Sequence, residues 1–147
     1  MCRPNVFPPP HIHNPFRLNV AVITFVARLP YGKDMTKYLI SFPSAAMTFS
    51  DEELLAVAEA ARAVVQEAKE AGVWIFNGGI DELLPPARVD AERNITQGTY
   101  SQTAQMEGGY TVLELPTYDD ALDWAAKIAA ACRCAQEVRA FQEDSTS

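Results

Sequence analysis

The sequence predicts an α+β domain whose elements run strand, helix, strand, hairpin, strand, helix, strand. Three observations carry that reading. Two stretches repeat apolar residues at three- and four-residue spacing behind capping residues, the signature of amphipathic helices. β-branched and aromatic runs separate them. Between the two halves lies a glycine-punctuated stretch, Thr96 to Leu115 (TQGTYSQTAQMEGGYTVLEL), whose Gly98 and Gly108-Gly109 bracket a shaped loop.

The elements follow in order. Lys37 to Phe42 (KYLISF) reads as the first strand, with Tyr38, Ile40 and Phe42 on one face and Leu39 on the other. Pro43 lacks the amide to continue a ladder. Ser50-Asp51-Glu52-Glu53 is a capping box, and its acids suit the positive end of a helix dipole. The helix behind it carries Leu54, Val57, Ala58, Ala61, Val64, Val65 and Ala68 on one side, and Gly72 stops it. Val73 to Asn77 (VWIFN) is a second strand, with Trp74 and Phe76 on one face and Val73 and Ile75 on the other. Gly78-Gly79 and Pro85-Pro86 bracket an irregular connection. Arg88 to Thr96 forms two short strands meeting near Glu92-Arg93-Asn94, and Tyr110 to Leu115 is the next long strand. Thr117 caps a second helix whose buried side holds Ala121, Leu122, Trp124, Ala125 and Ile128. Glu137 to Phe141 closes the sheet, and Gln142 to Ser147 is a polar tail.

That order is a split β-α-β arrangement with an inserted hairpin, which is ferredoxin-like. Two helices cover one face of such a sheet, yet the strands carry apolar groups on both. A homodimer packed sheet to sheet is the simplest cover for the other face.

Composition bounds the partners. The chain has 147 residues, enough for one domain with a hydrophobic core, and a net charge of −7. Residues 1–34 hold four basic groups and one acid, a net +3, whereas residues 35–147 hold eight and eighteen, a net −10. A body that acidic repels phosphate backbones, so nucleic acid is not an expected partner. No apolar run reaches membrane-spanning length. The three cysteines, Cys2, Cys132 and Cys134, suit a reduced, cytoplasmic setting rather than a disulfide framework.

Residues 1–34 read as a proline-rich N-terminal extension before a domain spanning 35–147. Six of the ten prolines lie there. Leu18 to Ala27 (LNVAVITFVA) fits an edge strand, and it lacks the flanks of a signal peptide. Gly32-Lys33-Asp34 is what an in-frame ribosome-binding site gives on translation, which makes Met35 an alternative start.

From Met35 to about Phe141 the chain resembles the YCII-related proteins, and within them the branch named for an Asp-Gly-Pro-Phe motif. The residues that carry the resemblance are Lys37-Tyr38-Leu39, Ala71-Gly72-Val73 with Gly78-Gly79, and Leu84-Pro85-Pro86. Further along come Gly98, Tyr100 and Thr103, then Gly108-Gly109-Tyr110, Asp120-Ala121-Leu122-Asp123-Trp124-Ala125 and Glu137-Val138-Arg139. The resemblance implies a dimeric α/β barrel, with relatives that include dehalogenases and muconolactone-type isomerases. Some members are encoded near alternative sigma factors. The signature itself stands here as Gln97-Gly98-Thr99-Tyr100, and the His–Asp pair of the enzymatic relatives has no counterpart, since His11 and His13 both precede the domain. Asp81 or Glu107 serve as a base only with a pKa raised by burial.

The candidate ligand-binding residues are Gln97, Tyr100, Thr103, Tyr110, Asn77 and Arg88. Gln97, Tyr100 and Thr103 offer amide and hydroxyl groups to a cleft, or simply fix the loop. Tyr110 turns its hydroxyl into the same cavity or packs at its rim. Arg88 is a carboxylate clamp or a solvated strand residue. Asn77 aims inward or begins the glycine turn. No metal site is expected, because Cys132-Arg133-Cys134 and His11-Ile12-His13 each stand without further ligands. No cofactor motif is present. Two readings result. One is a small-molecule-binding protein, with weak lactone-isomerase or dehalogenase-like catalysis as its enzymatic form; the other is a non-catalytic dimeric interaction or regulatory module. They differ on whether a cleft is open or filled by Tyr100 or Trp74.

Overall fold

The computed structural model describes residues 35–143. The candidate edge strand Leu18 to Ala27, the two histidines and Cys2 lie outside the described residues, as do residues 144–147. Among the described residues the fold is α+β with two α-helices and antiparallel sheets. In chain order it comprises β1 (Thr36–Pro43), α1 (Leu54–Glu70), β2 (Trp74–Gly79), β3 (Ala87–Val89), β4 (Ile95–Gln97), β5 (Gly108–Leu115), α2 (Tyr118–Cys132) and β6 (Glu137–Ala140). Four strands make the main sheet in the order β2-β5-β1-β6, and β3 and β4 form a separate two-stranded hairpin.

The spine is the β1–β5 pair, in register from Thr36 opposite Leu115 to Pro43 opposite Gly108. Side chains alternate along both strands, so Tyr38, Ile40, Leu113 and Leu115 share the face that the helices cover. Ile40, Leu113 and Leu115 are the largest side chains fully removed from water. Ala121, Ala125, Ile128 and Cys132 of α2 and Ala68 of α1 complete this core.

Local chemistry explains the helix ends. Before α1, the Glu53 carboxylate accepts from the Ser50 amide at 3.3 Å and the Ser50 hydroxyl at 2.9 Å. The Glu53 amide donates instead to the Ser50 carbonyl at 3.0 Å, which winds residues Asp51–Glu53 into a tight 3₁₀ turn ahead of the helix. Gly72, at φ +76°, ends α1 in the left-handed region. The Thr117 hydroxyl accepts from the Asp120 amide at 3.0 Å and starts α2.

Three expectations change. Gly78-Gly79 and Gly108-Gly109 are not loop residues but strand residues, paired as Gly78 with Tyr110 and Gly79 with Gly109. Trp74 and Phe76 do not share a face: the register slips between them, so Trp74 opposes Leu113 while Phe76 opposes Val112. A bulge of this kind shifts every later side chain on the strand by one position. Leu54 and Leu122, expected to be buried, are largely exposed, and Ala131 and Cys132 are buried in their place on α2.

On the face away from the helices, Leu39, Phe76 and Val112 lie along three neighbouring strands. Phe76 is 55% exposed there.

Candidate functional site

The six candidate residues fall into three places. Gln97, Arg88 and Tyr100 lie on the hairpin arm, residues 80–107, whose two strands do not pair with the main sheet. Arg88 and Gln97 sit on paired strands, with Ala87 opposite Gln97 and Arg88 opposite Thr96. The Arg88 guanidinium stands 5.6 Å from the centre of the Tyr100 ring, a cation–π contact that engages both. Tyr100 is 65% exposed. Arg88, Gln97 and Tyr100 do not line the cavity that Asn77 and Tyr110 border.

The arm is anchored at its base by the Ile80 amide on the Gly108 carbonyl at 2.9 Å and the Ser44 amide on the Glu107 carbonyl at 3.2 Å. The Ser44 hydroxyl also donates to Glu82. Its tip is built on Asp90. The carboxylate accepts from the Asn94 side chain at 2.9 Å, from the Asn94 amide at 2.7 Å and from the Glu92 amide at 3.0 Å. Arg93 takes a left-handed φ of 71° inside this turn.

The Asn94 side chain, followed by its backbone amide, holds the Asp90 carboxyl below the usual carboxylate range. A depressed folded-state value means that the ionised form stabilises the tip above the ordinary carboxylate pKa. That contribution disappears as the pH falls through the lower folded value. The protection factor of the Asn94 amide, the NMR exchange rate set against the intrinsic rate at each pH, is expected to fall below about pH 4 while the sheet amides stay protected. Asp90→Ala should show the low protection at every pH.

Thr103 lies in a second place, a hollow beneath the arm that Leu84 and Met106 share with Asp81, Glu82 and Glu107. Its hydroxyl donates to the Tyr100 carbonyl at 3.3 Å. Asp81, one of the two candidate bases, is exposed and accepts from the Leu83 amide at 2.9 Å to close a turn. This hollow is acidic and open.

Asn77 and Tyr110 belong to the third place, a cavity of about 200 Å³ between the main sheet and the two helices. Small residues create it. Ala61 and Ala68 on α1, Ala131 on α2 and glycines 79 and 109 on the strands leave a gap that larger side chains would close. Trp74 and Trp124 supply its aromatic walls, each with a lysine ammonium over its ring, Lys69 at 4.6 Å and Lys127 at 5.2 Å. Trp74 borders the space without filling it.

The register slip in β2 decides which polar group enters. It brings Asn77 opposite Thr111 on the helix-covered face. There the Trp74 indole N–H donates to the Asn77 side-chain oxygen at 2.6 Å. Alternation sends the Tyr110 ring to the other face, beside Val112, and its hydroxyl donates to the Met106 carbonyl. Tyr110 borders the cavity, but its hydroxyl is engaged elsewhere.

Cys132 also lines the cavity. Burial, then the neighbouring Cys134, pushes its thiol pKa up; burial does the same to Cys134, against a hydrogen bond from Gln136. Both thiols are therefore protonated and weakly nucleophilic near neutral pH. Among the described residues, no aspartate, glutamate, lysine, arginine or histidine lines this cavity, and no cluster of three or more metal-binding side chains exists.

Sequence reasoning missed the cavity because its makers are alanines, which read as ordinary helix formers, and glycines, which read as turn residues. The signal for Asn77 was present, an amide ending an apolar strand, but its facing depended on the slip. Comparison of the chain with family models and with curated proteins found no match.

Proposed function

We propose that this is a small-molecule-binding protein, organised as a ferredoxin-like dimeric α/β barrel of the YCII-related kind and residing in the cytoplasm. The observation that carries the reading is the apolar cavity of about 200 Å³ with Asn77 and Thr111 on its sheet side. A pocket with apolar walls and a few converging polar groups is the usual form of a small-ligand site. Binding is preferred to lactone isomerisation or dehalogenation because the lining offers no poised acid or base.

The strand order β2-β5-β1-β6 supports the ferredoxin-like reading, since each helix returns the chain to a strand two places away in the sheet. Leu39, Phe76 and Val112 on the uncovered face support assembly with a second copy, sheet to sheet. Among the described residues, no helix is long and apolar enough to cross a membrane. The interaction-module reading draws on the same uncovered face and needs no cavity.

Native mass spectrometry separates the two. The expected spectrum is a dimer carrying a small extra mass that leaves on denaturation. Ala61→Leu, which fills the cavity from α1, should give the same dimer without the extra mass. A clean dimer, identical for both proteins, would favour the interaction module, and a monomer would overturn the sheet-to-sheet assembly.

A further inference from the structure

We propose that the cavity selects an uncharged monocyclic aromatic carbonyl compound, an aldehyde or ketone, whose oxygen accepts from the Asn77 amide. This rests on the binding-protein reading and adds the chemistry of the ligand. Four features combine.

Size comes first. An engineered apolar cavity of about 150 Å³ accommodates benzene. The cavity here, at about 200 Å³, therefore takes one ring and a substituent of two or three heavy atoms.

Charge comes second. None of the described lining residues carries an ionised side chain. A ligand carboxylate or ammonium would lose hydration with no charged side chain in the lining to pair with it.

The third feature is the orientation of Asn77. Indole N–H can only donate, so the group it meets at 2.6 Å must be the amide oxygen. That contact turns the two amide N–H donors away from Trp74. They make no hydrogen bond among the described residues. Thr111, directly opposite across the β2–β5 ladder, lines the same cavity. Amide donors that no protein group engages favour a ligand group that accepts, and a carbonyl oxygen is a small group of that kind.

The walls are the fourth feature. Two indoles, Trp74 and Trp124, and the Phe42 ring line the space together with aliphatic and small side chains. Aromatic pairs gain from edge-to-face or offset contact beyond the area they bury, so a ring is preferred over an alkyl chain.

The experiment uses the full-length protein and three probes of nearly the same shape: acetophenone, α-methylstyrene and benzoate. The second replaces the carbonyl oxygen with a methylene, and the third adds a charge. Both tryptophans of the chain line the cavity, so intrinsic fluorescence reports occupancy alongside titration calorimetry. Acetophenone is expected to bind about tenfold more tightly than α-methylstyrene, the factor a typical net hydrogen bond supplies. Benzoate should show no saturable binding. Asn77→Leu should bring the first two probes to equal affinity. Equal affinities in the unaltered protein, or benzoate matching acetophenone, would overturn the proposed ligand class while leaving the cavity a binding site. Absence of binding by all three would overturn the binding-protein reading, and this inference with it.

Discussion

Gly108→Ala is expected to prevent folding. A Cβ at this position would lie 2.0 Å from the Phe42 carbonyl oxygen and 2.9 Å from the Pro43 Cα, both backbone atoms that cannot rotate aside. Gly108 also has a φ of +139°, a region that side-chain-bearing residues enter only under strain. Relief requires separating β1 from β5 at the end of their ladder, where Gly108 opposes Pro43. The loss should exceed about 3 kcal/mol, a large fraction of the stability of a domain this size. Gly98→Ala is the control. Gly98 has a φ of +102°, but no atom lies within 4 Å of where its Cβ would stand, so only backbone strain is added. Soluble yield and circular dichroism melts of the two variants check the contrast. Equal behaviour would mean that the β1–β5 ladder does not constrain position 108.

Leu113→Ala should be the most destabilising of the simple core truncations, at about 3–5 kcal/mol. Leu113 is 1% exposed, lies opposite both Tyr38 and Trp74, and forms part of the cavity wall. Its removal leaves a void that joins the existing space. Urea unfolding should show a lower midpoint with an unchanged slope, the pattern of lost stability without a change in compactness. The enlarged cavity should also admit probes one or two carbons larger than the unaltered protein accepts. A variant that loses stability but gains no ligand volume would show that the neighbouring side chains had collapsed into the gap.

The architecture was legible because its signals are local. Tyr38, Ile40 and Phe42 alternate, Gly72 and Thr117 punctuate, and each of these acts within a few residues of itself. The site was less legible because it depends on registers that no local pattern states. Gln97 and Tyr100 lie within the glycine-punctuated stretch and Arg88 shortly before it, yet none of the three lines the cavity. Gly78-Gly79 and Gly108-Gly109 carry the strongest turn signals in the chain, yet they pair as strand neighbours, because close packing against Phe42 and Phe76 excludes larger side chains there. Asn77 was among the candidates, but an unbroken alternation from Trp74 would have put Phe76 with Trp74 and Asn77 on the opposite side.

The extra residue in β2 makes the chemistry of the pocket a matter of phase rather than composition. Trp74 and Asn77 are three apart, an odd number that strict alternation assigns to opposite sides, and the slip reconciles them. If that slip were ironed out by re-pairing Ile75 with Val112, a phenyl ring would turn inward where the amide now points. The site would become a plug, with every amino acid unchanged. Which side chain enters this cavity is thus open to revision by gain or loss of a single codon near residue 75, a far shorter evolutionary step than rebuilding the walls one substitution at a time.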